Sequence, residues 1–122
     1  MPGPRVVAIA VLACLGLAAC SSTPAGKRAL CEDFGALTVT IGHLDRGDVT
    51  EVDALVSLRA EQRAFAADAS TLEAENATDL ATVALRIEKS LGDLVTAIAN
   101  NQPAKPSIGE LRAAAQQAPS CP

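Results

Sequence analysis

The sequence predicts an all-α fold, a small antiparallel bundle of three long helices followed by a short C-terminal one. Three observations carry this reading. Apolar residues recur at alternating spacings of three and four, the period of one face of an α-helix. Residues of the kinds that stop and start helices separate each run from the next. The separating segments are short, so consecutive helices must double back on one another.

Leu30, Phe34, Leu37, Ile41 and Leu44 form the first run. Gly47 stands just past its end, where a left-handed residue closes a helix, and Arg46 in the last turn complements the helix dipole. Inside the run, Leu37-Thr38-Val39-Thr40-Ile41 also alternates like a strand, with β-branched residues that suit one. A strand needs a partner and the chain offers none, so helix is the reading kept.

Asp48 or Thr50 caps the second helix. Val52, Leu55, Leu58, Phe65, Ala69 and Leu72 share one broad face, interrupted by Gln62. Asn76 or Thr78 restarts the chain. Leu80, Ala84, Ile87, Leu91, Leu94 and Ile98 mark the clearest helix, ended by Asn100, Asn101 and Pro103. Ser107-Ile108-Gly109-Glu110 matches a capping box, in which serine and glutamate satisfy the free amides of a helix start. Ile108, Leu111 and Ala115 give the last helix its apolar face, and Pro119 stops it. No internal repeat is evident.

With 122 residues the chain makes one domain. Its apolar fraction is 49%, yet much of that is alanine, and Phe34 and Phe65 are its aromatics. A core of small side chains leaves a thin stability margin, which calls for something besides burial. The net charge is −4, without a basic face or interleaved aromatic groups, which argues against nucleic acid as a partner.

Residues 1–20 have a different grammar. Arg5 supplies a positive start, Val6 to Leu17 is an unbroken apolar run, and Ala18 and Ala19 follow. That order is the mark of a secretory signal peptide, and the run is too short for a membrane-spanning helix. Leu17-Ala18-Ala19-Cys20 resembles the lipobox of bacterial lipoproteins. The resemblance implies diacylglycerol attached to the Cys20 thiol, cleavage just before it, and a protein anchored on the extracytoplasmic face of a membrane. Val11-Leu12-Ala13-Cys14 is a rival site, but cutting there would shorten the apolar run and leave apolar residues on the mature end. The expected organisation is therefore a signal peptide over 1–19, a lipidated terminus and flexible spacer over 20–29, and a helical domain over 30–122. Removing Arg5 with the signal segment takes the domain's net charge to −5.

On that resemblance the four cysteines sort themselves. Cys14 leaves with the signal peptide and Cys20 is consumed by lipid. Cys31 and Cys121 remain, one near each end of the domain, and in an oxidising compartment such a pair becomes a disulfide. Metal ligation by the two thiolates lacks further ligands in the sequence. The complete fold expectation is thus a helical bundle closed by one disulfide.

Candidate chemistry is sparse. His43 is the single histidine, with Asp45 and Asp48 near it, and a surface position in the last turn of a helix accounts for it. The acidic residues fall mostly on expected outer faces, where a carboxylate is simply solvated; a catalytic acid needs an apolar cleft. Arg46-Gly47-Asp48 spells an adhesion tripeptide, and Asn76-Ala77-Thr78 a glycosylation sequon, but capping explains the first and a bacterial lipobox argues against the second. Gly35, Gly42 and Gly92 interrupt helices at a cost of about 1 kcal/mol each. The alanine bias resembles small lipoproteins of high-GC actinobacteria, a resemblance that supplies no activity. The expectation is a non-catalytic, monomeric envelope module without metal or cofactor, bound to the membrane through its lipid and to an envelope protein through its surface. The alternative is a small-ligand or lipid-binding lipoprotein with a cavity between its helices.

Overall fold

The apolar stripes read above become the buried seams of four helices: α1 (Ala25–Arg46), α2 (Glu51–Ala74), α3 (Thr78–Ala99) and α4 (Lys105–Ala115). The computed structural model describes residues 24–117 and Cys121. Residues 1–19, read as a signal peptide, and Cys20 lie outside the described residues. No strand occurs among the described residues, and no described helix is long and apolar enough to cross a membrane. α2 and α3 share the most extensive interface; α1 packs on α2, and α4 on α3. Leu30, Leu58, Phe65, Leu72, Ile87, Leu91, Leu94 and Leu111 are the largest fully buried side chains. The Phe34 and Phe65 rings meet edge to face, 5.6 Å apart, between α1 and α2.

The segment that also patterned as a strand is helical, and its threonines show how. Thr38 and Thr40 donate their hydroxyl protons to the Phe34 and Ala36 carbonyls, 2.9 and 3.2 Å away, one turn back. Gly47 closes α1 in the left-handed region at φ 73°, and its N–H reaches the carbonyl of Leu44. Of the two candidate caps for α2, Thr50 takes the role, accepting from the Asp53 N–H at 3.1 Å.

Three local expectations need correction. Ser107 does not cap α4: the helix begins at Lys105 behind Ala104, with Pro106 in its first turn. Proline is pre-organised for that position and moves the start ahead of the serine. Val52 is 65% exposed, because α2 turns Ala54 and Leu58 inward at that end instead. Finally, α1 begins at Ala25, so residues 25–29, read as spacer, are helical.

The reason for the early start is tertiary. The Gly26 N–H points at the Glu75 carboxylate, 3.2 and 3.3 Å from its two oxygens, so the end of α2 satisfies a free amide at the start of α1. The two helices approach so closely there that a Cβ on residue 26 would meet Glu75 Oε1 at 2.7 Å and Leu72 Cδ2 at 2.9 Å. Gly26 is therefore a packing residue, not a hinge. Gly26→Ala is expected to destabilise the domain by about 1–3 kcal/mol, the cost of overpacking a close contact. A lower urea midpoint at unchanged slope would show it; an unchanged midpoint would mean that Leu72 and Glu75 simply step aside.

Candidate functional site

Two features of the bundle go beyond packing, and both involve α1. The first is a groove. α1 rests on α2 and α4 on α3, which leaves the facing sides of α1 and α4 incompletely joined. Phe34, Leu37 and Ile41 from α1, with Leu111 and Ala115 from α4, line an open apolar trough of about 250 Å³. Asp45 and Arg112 lie in its wall and pair with each other across it. A second, more open and more polar depression lies between α3 and α4 and is lined by Asp93, Gln102, Ser107 and Glu110 among others.

α1 is also joined covalently to Cys121, beyond the end of α4. Cys31 and Cys121 form the expected disulfide, with their Cα atoms 5.6 Å apart. Arg86 of α3 donates to the Gln117 side chain just past α4, a further tie on the C-terminal segment.

The second feature is a row of carboxylates between α1 and α2. Asp33 and Thr40 are seven residues apart on α1, and Glu61 and Asp68 seven apart on α2, so each pair sits on one face, two turns apart. Antiparallel packing sets Asp33 against Asp68 and Thr40 against Glu61. The Thr40 hydroxyl lies 2.5 Å from Glu61 Oε2. Asp68 is only 5% exposed. Glu61 Oε1 and Asp68 Oδ2 are buried and meet no N–H or O–H donor among the described residues. Burial pushes the Asp68 carboxyl up to about 8, helped by its hydrogen bond with Asp33 and by repulsion from Asp33 and Glu32. Glu61 is also raised, by burial first and by Asp33, against the opposing effect of Thr40. The shift favours the protonated Asp68, which donates to Asp33.

Sequence reasoning placed the acidic residues on outer faces and so missed this row. A signal was present: Asp68 stands three residues after Phe65 and four before Leu72, on the apolar stripe itself.

His43, by contrast, sits at the exposed C-terminal end of α1. Its Nδ1 is 3.2 Å from Asp48 Oδ2, and Arg46 Nε donates to the same oxygen at 2.9 Å. These two partners hold the Asp48 carboxyl below its usual range, Arg46 contributing most. The adhesion-like tripeptide is consequently folded on itself, its arginine bonded to its aspartate. Ten residues, about 15 Å of helix, separate His43 from Asp33, so the buried carboxylates and the histidine do not form one site. No group of three or more potential metal ligands comes together among the described residues. The chain matches no family model, no curated protein and no solved structure.

Proposed function

We propose that this chain is a lipid-anchored extracytoplasmic lipoprotein whose helical bundle is a non-catalytic, monomeric binding module for another protein of the cell envelope. The observation that supports binding is the open apolar groove between α1 and α4. Its volume of about 250 Å³ is below the range of roughly 300–1,000 Å³ in which small-molecule pockets enclose their ligands. Open and shallow, it suits one or two apolar side chains presented by a partner helix, the arrangement of groove-bound amphipathic segments. The acidic domain favours a partner with basic residues beside those anchors. The anchor rests on Leu17-Ala18-Ala19-Cys20, since two acyl chains on Cys20 give stable membrane attachment where one does not. The second reading, a small-ligand or lipid-binding lipoprotein, draws on the same groove, into which part of an acyl chain would fit.

Two measurements test the proposal. Metabolic labelling with a fatty acid is expected to mark the unaltered chain and to be lost in Cys20→Ser, which should also stay unprocessed or leave the membrane. Label retained by Cys20→Ser would end the anchor assignment. A photo-crosslinking residue in place of Thr38, at the groove's edge, should trap a protein adduct in native membranes; an adduct of lipid mass would favour the second reading instead.

A further inference from the structure

Three carboxylates line the contact of α1 with α2, the exposed Glu32 adds its charge to theirs, and among the described residues no cation pairs with them. Glu32 and Asp33 come from α1, Glu61 and Asp68 from α2. The charges felt by Asp68 are those of Asp33 and Glu32, and the charge felt by Glu61 is that of Asp33. Among the described residues the ion pairs lie elsewhere: His43 and Arg46 with Asp48, Lys89 with Asp93, and Arg112 with Asp45. α3, which packs on α2, and α4 beyond it contribute neither an ion pair nor a hydrogen bond to Asp68 or Glu61.

An ionised seam would therefore leave two buried oxygens without donors and set like charges side by side. Protonation removes that charge and turns each acid into a donor. A protonated Asp68 donates to Asp33. A protonated Glu61 donates to the Thr40 hydroxyl, which passes its own proton to the Ala36 carbonyl, 3.2 Å away. Asp68 then has a partner in Asp33, and Glu61 Oε1 belongs to a neutral carbonyl rather than to a buried anion.

α1 has one extended seat in the molecule, and it is this one. Its attachments elsewhere are local, namely the disulfide at Cys31, Asp45 with Arg112, and the turn at Gly47, while Gly26 with Glu75 belongs to the α1–α2 contact itself. We propose that the α1–α2 seam is a proton-operated latch, which holds α1 down when its buried carboxyls are protonated and releases it when they ionise. Release uncovers Leu30, Leu37, Phe65 and Leu58, and it moves one wall of the α1–α4 groove. The latch stands independently of what the groove binds.

The direction follows from proton counting. With α1 seated, Asp68 keeps its proton up to about 8, whereas the ordinary value for the released side chain is 3.8. Between those values the closed form holds one more proton than the open form, so closure is strongest in acid and weakens as pH rises. Above the upper value the dependence levels off. Glu61 acts in the same direction. Asp48, lowered and exposed in the turn after α1, is outside the seam and its effect is confined to acid.

Amide hydrogen exchange on the full chain in detergent micelles tests the latch, with rates corrected for the intrinsic base catalysis of exchange. Protection of α1 amides should fall about tenfold for each pH unit between pH 5 and 8, then flatten, while α3 amides keep theirs. Asp68→Asn should flatten the α1 profile, and Asp33→Asn should reduce its slope. A flat α1 profile in the unaltered chain, or loss of protection by α1 and α3 together, would overturn the proposal. Should Asp68→Asn fail to fold, the carboxyl carbon of Asp68 in the unaltered chain decides by NMR: a midpoint above pH 6 supports the latch and one below pH 6 refutes it.

Discussion

Reducing the Cys31–Cys121 bond is expected to lower the thermal midpoint by at least about 8–16 °C while leaving most of the helical signal at room temperature. The bond joins residues 90 apart in sequence. In the chain-entropy picture a loop of that length restricts the unfolded ensemble by about 4–5 kcal/mol, an upper figure. Even 2 kcal/mol shifts the midpoint of a domain of roughly 100 residues by about 8–16 °C. The structure adds a reason to expect a substantial share of the entropic figure. α1 is seated mainly on α2, and α4 is short, so neither end of the bundle is enclosed on all sides by packing. Circular dichroism melts of oxidised and reduced chain make the comparison. An unchanged midpoint after verified reduction would show that packing already holds those ends together.

Phe65→Ala should cost about 3–5 kcal/mol, the range for removing a fully buried aromatic side chain. Phe65 is 0% exposed, the largest buried side chain of a core otherwise built from leucine, isoleucine and alanine. Its ring is met edge to face by Phe34, and that contact disappears with it. Small domains are stable by only about 5–15 kcal/mol, so the variant should lie close to its unfolding transition at 37 °C. Phe34→Ala should cost less, since Phe34 is half-buried at the groove. Urea titration of both variants reads the difference. Equal losses, or a loss below about 1 kcal/mol for Phe65, would mean that the core collapses readily into the vacated space.

The architecture was legible in the sequence because its signal is repetitive. Leu30, Leu37, Leu58, Leu72, Ile87, Leu91, Leu94 and Leu111 all stand on the stripes that the three-and-four spacing marks, and all are buried. Single-position signals fared less well. The Ser107 capping box was outcompeted by Pro106, and Gly26, a residue that locally discourages helix, is helical because Glu75, 49 residues away, receives its amide. Such long-range partners leave no local trace. The carboxylate seam was hidden for a related reason. Periodicity treats an aspartate as a surface residue, and only the packing of α1 on α2 reveals that Asp68 faces Asp33 under 95% cover. The Cys31–Cys121 pairing was legible once the resemblance to a lipobox had set Cys20 aside, although Cys20 itself lies outside the described residues.

The position of the disulfide also decides how the molecule bears a load. Tension applied at the two ends of the chain enters α1 at its first turns, runs as far as Cys31, and crosses from sulfur to sulfur to Cys121. The 90 residue steps between the cysteines form a closed loop off that line, so past the first turns of α1, where Gly26 and Leu30 take the load, the pull bypasses the carboxylate row, the groove and the rest of the core. Stretching lengthens only the segments outside the loop. Reduction turns the same pull onto the bundle itself, and a structure that was a side branch becomes the weakest link in series.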